Sequence, residues 1–181
     1  MAIVIQIALN GLVLASLYAL VAVGLSFLYA TTRIFHLAHG VVVVAAGYAF
    51  WWAVARAGWH PLFAAFLAVA TAALLGSLMN ELVYERLRLR GARGLGYLIA
   101  TLALLMLGTG LIQLAFGAQP RTLSIAPQVF TLREVRLTAV DALALGTGAI
   151  LVAVFFGITR WTKFGKAMRA TADNETVAEV L

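Results

Sequence analysis

Leu62-Phe-Ala64-Ala-Phe-Leu-Ala68-Val-Ala-Thr-Ala72-Ala-Leu-Leu-Gly76-Ser-Leu-Met-Asn80-Glu-Leu-Val-Tyr84 carries no charge from Leu62 to Asn80, a run of 19 residues. An α-helix rises about 1.5 Å per residue, so roughly 20 apolar residues cross a bilayer core of about 30 Å. Ala64, Ala68, Ala72, Gly76 and Asn80 recur at every fourth position. Small residues in that register fall on one helix face. They let two helices approach closely where lipid supplies no hydrophobic drive to bring them together. The stretch therefore predicts a transmembrane helix with a packed face.

Four further runs read the same way: Ile3–Tyr29, Ala38–Ala55, Tyr97–Gly117 and Ala139–Thr159. Together they predict an all-α polytopic bundle of about five spans, of which Ala38–Ala55 is the shortest. In the first span Ala8, Ala15 and Ala22, with Gly11, Ala19 and Ser26, share a small face suited to packing within the chain or in a dimer. Leu-Gly-Thr-Gly occurs twice, around Gly108-Thr-Gly110 and Gly146-Thr-Gly148. A match so short reads as coincidence. Between the last two spans lies a loop, 118–138, with Pro120 and Pro127. Its alternating Phe130-Thr-Leu132-Arg-Glu-Val135-Arg-Leu137 suggests a small hairpin on the membrane face.

Composition agrees. Hydrophobic residues are 64% of the 181, charged residues 11%, and mean hydropathy is +1.00, far from the soluble norm. With no cysteine, disulfides and thiolate metal sites are excluded. The start, Met1-Ala-Ile-Val-Ile-Gln6, has no basic region or cleavage site, so the first run reads as a retained span. The net charge of +6 is distributed as topology requires, not as nucleic-acid binding would. With the N-terminus outside, the inner loops hold Arg33, then Arg86, Arg88, Arg90 and Arg93, then Arg160, Lys163, Lys166 and Arg169. The outer loops hold Arg56, Arg121, Arg133 and Arg136. This bias puts the C-terminal segment in the cytoplasm. Trp51, Trp52, Trp59, Tyr84, Tyr97 and Trp161 stand near span ends, as interface anchors do.

Several chemistries are missing. No Walker-type glycine loop is present to hold ATP. Every acid (Glu81, Glu85, Glu134, Asp141, Asp173, Glu175, Glu179) lies at a span end or in a loop, so no mid-membrane proton relay is expected. His36 and His39 lack a third ligand for a metal. No nucleophile–base pair stands out, and no cofactor is expected. The chain reads as a conduit, not an enzyme.

The polar residues that enter the apolar region cluster early. Asn10-Gly-Leu-Val-Leu-Ala-Ser16-Leu-Tyr18-Ala-Leu is followed by Gly24-Leu-Ser26, then His36-Leu-Ala-His39-Gly40 and Gly47-Tyr48. A helix beginning near Ala38 would present its positive end at the mouth of a pathway. His39 is then either a pathway residue or an ordinary helix-start histidine. Asn10 is either a solute contact or a helix–helix hydrogen-bond partner. At the other end, Arg160–Leu181 is basic, helix-prone and too polar for hydrocarbon, so it reads as a segment gripped by another protein.

In that order the motifs resemble the permeases of branched-chain amino-acid ABC importers (LivH/LivM type). The match rests on Asn10-Gly, Tyr18-Ala-Leu, Gly24-Leu, His36-Leu-Ala-His39-Gly40 and Gly47-Tyr48. It continues through Tyr84-Glu-Arg86-Leu, Leu98-Ile-Ala-Thr101-Leu and Phe116-Gly…Arg121. It ends in Thr162-Lys-Phe-Gly165-Lys-Ala-Met-Arg169-Ala170…Asn174…Ala178. His36 stands where the family usually has Asn, Leu37 where it has an aromatic residue or Met, and Leu87-Arg88 where Pro-Leu is usual. The resemblance implies a transport subunit of the bacterial inner membrane. Its substrate pathway would use Asn10, Tyr18, His36, His39 and Gly40. Its ATPase-coupling segment would use Lys163, Gly165, Lys166, Arg169, Ala170 and Asn174. Residues 1–160 would form the transmembrane domain and 161–181 the cytoplasmic coupling segment. The implied partners are cytoplasmic ABC ATPases, a second permease subunit (identical or homologous), a periplasmic solute-binding protein and the bilayer, with no nucleic acid. Relatives continue beyond the coupling loop, so Leu181 reads as the end of a fragment or truncated frame. The other function classes are an ATP-independent channel for urea or a similar neutral solute, and a non-functional remnant.

Overall fold

The computed structural model describes residues 1–123, 129–132, 135–163, 165 and 166. It is a helical membrane protein. In order it contains α1 (Ala2–Thr32), α2 (His39–Ala55), α3 (Pro61–Met79), a π-helical turn (Asn80–Tyr84), α4 (Glu85–Leu89), α5 (Gly94–Phe116), β1 (Val129–Leu132), β2 (Val135–Thr138) and α6 (Ala139–Trp161). Four stretches are long and apolar enough to cross a membrane: Ile3–Thr32, the continuous Pro61–Leu89, Gly94–Phe116 and Ala139–Trp161. The 17-residue α2 is shorter but apolar throughout its length. The chain forms two compact units, one of Met1–Arg33 with Ile125–Leu181, the other of Ile34–Ser124.

The first unit is built on α1 against α6. Gly148 is buried, and a Cβ placed on it would lie 3.2 Å from the Ser16 Cβ. Further along, the rings of Phe27 and Phe155 meet edge to face, with centroids 5.5 Å apart. Both contacts advance along both helices in the same sense, so α1 and α6 are parallel. The small face of α1 is not the one that meets α6. Ala8, Gly11, Ala15, Ala19, Ala22 and Ser26 are exposed, and Ser16 makes the close approach. Its hydroxyl donates to the Val13 carbonyl at 2.7 Å, so it presents no unmet polar group to α6.

The hairpin forms as the alternation suggested, one residue longer at each end. β1 and β2 are antiparallel, with Leu132 opposite Val135 and Val129 opposite Thr138. Thr138 then starts α6 with a capping box. Its Oγ1 accepts from the Asp141 N–H at 3.1 Å, and Asp141 Oδ2 accepts from the Thr138 N–H at 3.1 Å. Asp141 is thus placed by capping chemistry at the mouth of a span.

The second unit packs α2 on α3, joined by Arg56–His60. His60 caps α3 by accepting from the Leu62 N–H at 3.3 Å, and Pro61 occupies the first turn, where its missing N–H is harmless. Ala38, Ala53 and Ala64 are fully buried. Of the every-fourth-residue stripe on α3, Ala64 is buried and Ala68 and Ala72 half-buried, whereas Gly76 and Asn80 are exposed. α5 closes on α2 at Gly108, where a Cβ would overlap a Val41 methyl.

α2, with 17 residues, rises about 25 Å, shorter than the four stretches long and apolar enough to cross a membrane.

Candidate functional site

At one end of the second unit, the loop before α2 carries His36, which is 4% exposed. The Tyr84 hydroxyl shares a hydrogen bond with His36 Nδ1, and the two rings lie edge to face at 5.4 Å. Tyr84 is also buried, and the Tyr97 ring stands 6.4 Å from it. The π-helical turn produces this meeting. An i→i+5 turn inserts one residue into the helical repeat, so the residues after it are rotated relative to those before, a device frequent at functional sites. Tyr84 ends that turn and is directed at His36, 48 positions away in the chain. The sequence reading took Tyr84 for an interface anchor. It is a core residue instead.

His39 opens α2, with its ring 6.5 Å from that of His36. The helix start is largely closed on itself: the His39 N–H donates to the His36 carbonyl at 3.0 Å and the Val41 N–H to the Ala38 carbonyl at 3.1 Å. Burial first, and the neighbouring His39 second, lower the His36 pKa from its ordinary 6.5. The folded chain therefore favours neutral His36, and the unfolded chain takes up its proton first. Stability from this group is present above pH of about 6.5 and lost as pH falls through the lower folded value. Thermal unfolding in detergent should show a midpoint that falls between pH of about 7.5 and about 5. In His36→Asn that His36-dependent fall should vanish; an equal fall in both proteins would remove the histidine from the account.

From the residue after His39 onward, α2 and α5 enclose a cleft of about 310 Å³ lined by Gly40, Val41, Val44, Tyr48, Leu105, Thr109, Ile112, Gln113, Gly117 and Ala118. It adjoins a second hollow of about 380 Å³, with Val44 and Tyr48 in common, completed by Gly47, Trp51, Pro120 and Arg121. Tyr48 stacks on Phe116 at 4.5 Å, and Trp51 meets Phe116 edge-on at 6.4 Å. The Arg121 guanidinium lies 5.5 Å over the Trp51 ring. Its Nη2 donates to the Phe116 carbonyl at 2.8 Å, and Trp51 Nε1 donates to the Thr122 carbonyl at 3.2 Å. Gly117, with φ +83°, ends α5 in a conformation that favours glycine.

Of the predicted pathway residues, His36, His39 and Gly40 belong to this second unit. His36 and His39 lie together at its buried end, while Gly40 borders the cleft. Asn10 and Tyr18 are exposed on α1 in the first unit, and Asn10 Oδ1 accepts from Gln6 Nε2 at 3.0 Å. Of the predicted coupling residues, Lys163, Gly165 and Lys166 are described, and Arg169, Ala170 and Asn174 lie outside the described residues. Thr162 caps a new turn beyond α6: its Oγ1 accepts from the Gly165 N–H at 3.1 Å, and its carbonyl from the Lys166 N–H at 3.1 Å. Gly165 is buried against the end of α6, and a Cβ there would collide with the Ile158 and Thr159 carbonyls.

Sequence reasoning passed over Thr109 and Gln113. The available signal was a polar pair four residues apart inside an apolar span, which helical periodicity places on one face. Among the described residues, no three histidine, cysteine or acidic side chains are grouped to hold a metal ion.

Comparison with known proteins gives one family. A family model described as a branched-chain amino acid transport system permease component matches residues 7–181. Neither the curated proteins nor the solved structures gave a match. The match spans nearly the whole chain and takes in the buried His36 end, the α2–α5 cleft and the turn after α6; this multi-pass inner-membrane protein belongs to the branched-chain amino acid transport permease family.

Proposed function

We propose that the chain is the membrane-spanning subunit of an ATP-driven importer for branched-chain amino acids. The observation that carries this is the family match over residues 7–181. The orientation is the one inferred from charge, with the N-terminus outside. The inner-side ends hold His36 with Tyr84 and Tyr97, and the outer-side ends hold Trp51 with Phe116 and Arg121. The Thr162–Lys166 turn is then cytoplasmic. With Lys163, Lys166 and Arg169 it offers a basic segment to an ATPase groove. ATPase closure would move that segment as a lever, and the spans would rock between outward- and inward-open packings. A second permease subunit would complete the pathway, and a periplasmic binding protein would deliver solute.

The test is leucine uptake into proteoliposomes containing this protein, its companion ATPases, the second permease subunit and the binding protein. Uptake should require ATP and stop when the ATPases are omitted. Leucine or urea flux through the permease without ATP would overturn the importer reading in favour of a passive channel.

A further inference from the structure

We infer that the joined α2–α5 hollows form a solute station that selects for a carboxylate, with Arg121 as the carboxylate-binding residue; the inference rests on the permease reading. The combined space is in the range of small-molecule sites, roughly 300–1,000 Å³. Its chemistry is graded from one end to the other. Arg121 is exposed, and only its Nη2 is engaged, by the Phe116 carbonyl. Nη1 and Nε have no partner among the described residues, so the guanidinium keeps donors in the fork geometry that matches a carboxylate. The bond to Phe116 and the stacking over Trp51 hold the guanidinium in place. Less entropy is therefore lost when a ligand arrives.

Past the Tyr48–Phe116 stack the lining turns aliphatic, with Val41, Val44, Leu105 and Ile112. Thr109 and Gln113 are the polar exceptions. The Thr109 hydroxyl donates to the Leu105 carbonyl at 2.7 Å, leaving its oxygen able to accept. The Gln113 side-chain amide makes no hydrogen bond among the described residues. A cation at one end, two acceptors beside the chamber and an aliphatic wall match the carboxylate, ammonium and branched side chain of one amino acid. A neutral diamide such as urea would leave both Arg121 and the aliphatic wall without a counterpart. The same geometry therefore separates the amino-acid reading from the urea alternative.

The measurement is equilibrium binding of leucine, leucinamide and urea to the assembled importer in detergent, without binding protein, alongside ATP-driven leucine uptake. In the unmodified complex leucine should bind roughly ten- to hundredfold more tightly than leucinamide, the usual worth of a charge-assisted hydrogen bond. Arg121→Gln should collapse that ratio towards one, and Arg121→Lys should keep part of it. A general loss of structure would weaken both ligands alike and leave the ratio intact. Ile112→Phe should weaken leucine far more than alanine, because Ile112 lines only the aliphatic chamber. An unchanged leucine-to-leucinamide ratio in an Arg121→Gln complex that binds leucine as tightly as the unmodified one would overturn the inference and leave the permease reading standing. Absence of ATP-driven uptake in the unmodified complex would overturn both.

Discussion

Replacing Gly165 with alanine should reduce ATP-coupled leucine uptake by about tenfold or more, with membrane insertion unchanged. Gly165 is buried against the end of α6, and a Cβ at that position would run into the carbonyls of Ile158 and Thr159. The atoms it would meet are all backbone, so no flexible side chain can give way. Either the Thr162–Lys166 turn swings off the end of α6 or the last turn of α6 unwinds. Overpacking of this kind costs about 1–3 kcal/mol where the structure can adjust, and about 1.4 kcal/mol is a factor of ten in an equilibrium. A lever that transmits force as a rigid body loses its register when its root moves. The Thr162 cap that starts the turn, through the Gly165 N–H at 3.1 Å, would be lost in the same movement.

The useful comparison is Gly157→Ala. Its added Cβ would sit 3.6 Å from the Trp161 ring, an ordinary contact, and should be silent. Three readouts separate coupling from folding: protein in the membrane fraction, basal ATPase activity of the assembled complex, and uptake. Gly165→Ala should keep the first two and lose the third. Normal uptake in Gly165→Ala would sink the lever, since the substitution cannot be accommodated without moving the segment.

Hydropathy made the helices legible because bilayer thickness fixes their length. The capping box Thr138-x-x-Asp141 was also there to be read, since its chemistry is local. What stayed hidden was pairing. α1 offers a regular small face, yet packs on α6 through Ser16 and Phe27. Small residues show which faces could approach a neighbour, not which one does. The His36–Tyr84 bond joins residues 48 apart and depends on a π-helical turn that no apolar periodicity announces. The α2–α5 cleft needed the crossing of two helices before Val44, Tyr48 and Gln113 could share a wall. Arg121, one of the outer-loop charges in the sequence, stands over the Trp51 ring only once the chain has folded.

The repeated Leu-Gly-Thr-Gly gives the second large expected effect, because its glycines are not equivalent. In α5 the first glycine of the pair is the tight one: a Cβ on Gly108 would overlap a methyl of Val41, which is 6% exposed, whereas Gly110 has open space. In α6 the order is reversed, with Gly148 against Ser16 and Gly146 open. The two copies therefore pack in different ways. Gly108→Val should destabilise the second unit by about 1–3 kcal/mol, lowering the thermal midpoint in detergent by several degrees. Gly110→Val, with the same loss of glycine and no neighbour, should stay within about 1 kcal/mol, reflecting helix propensity alone. Val41 cannot simply turn aside, because a β-branched side chain in a helix has one strongly preferred χ1 rotamer. α2 and α5 must separate, and the cleft between them must change shape. The compensating change is Val41→Ala. Placed with Gly108→Ala it removes the methyl that the new Cβ would meet, so the double variant should be more stable than Gly108→Ala alone. Such coupling is expected only between side chains in direct contact. Strict additivity of the two substitutions would mean that α2 and α5 do not meet at this point.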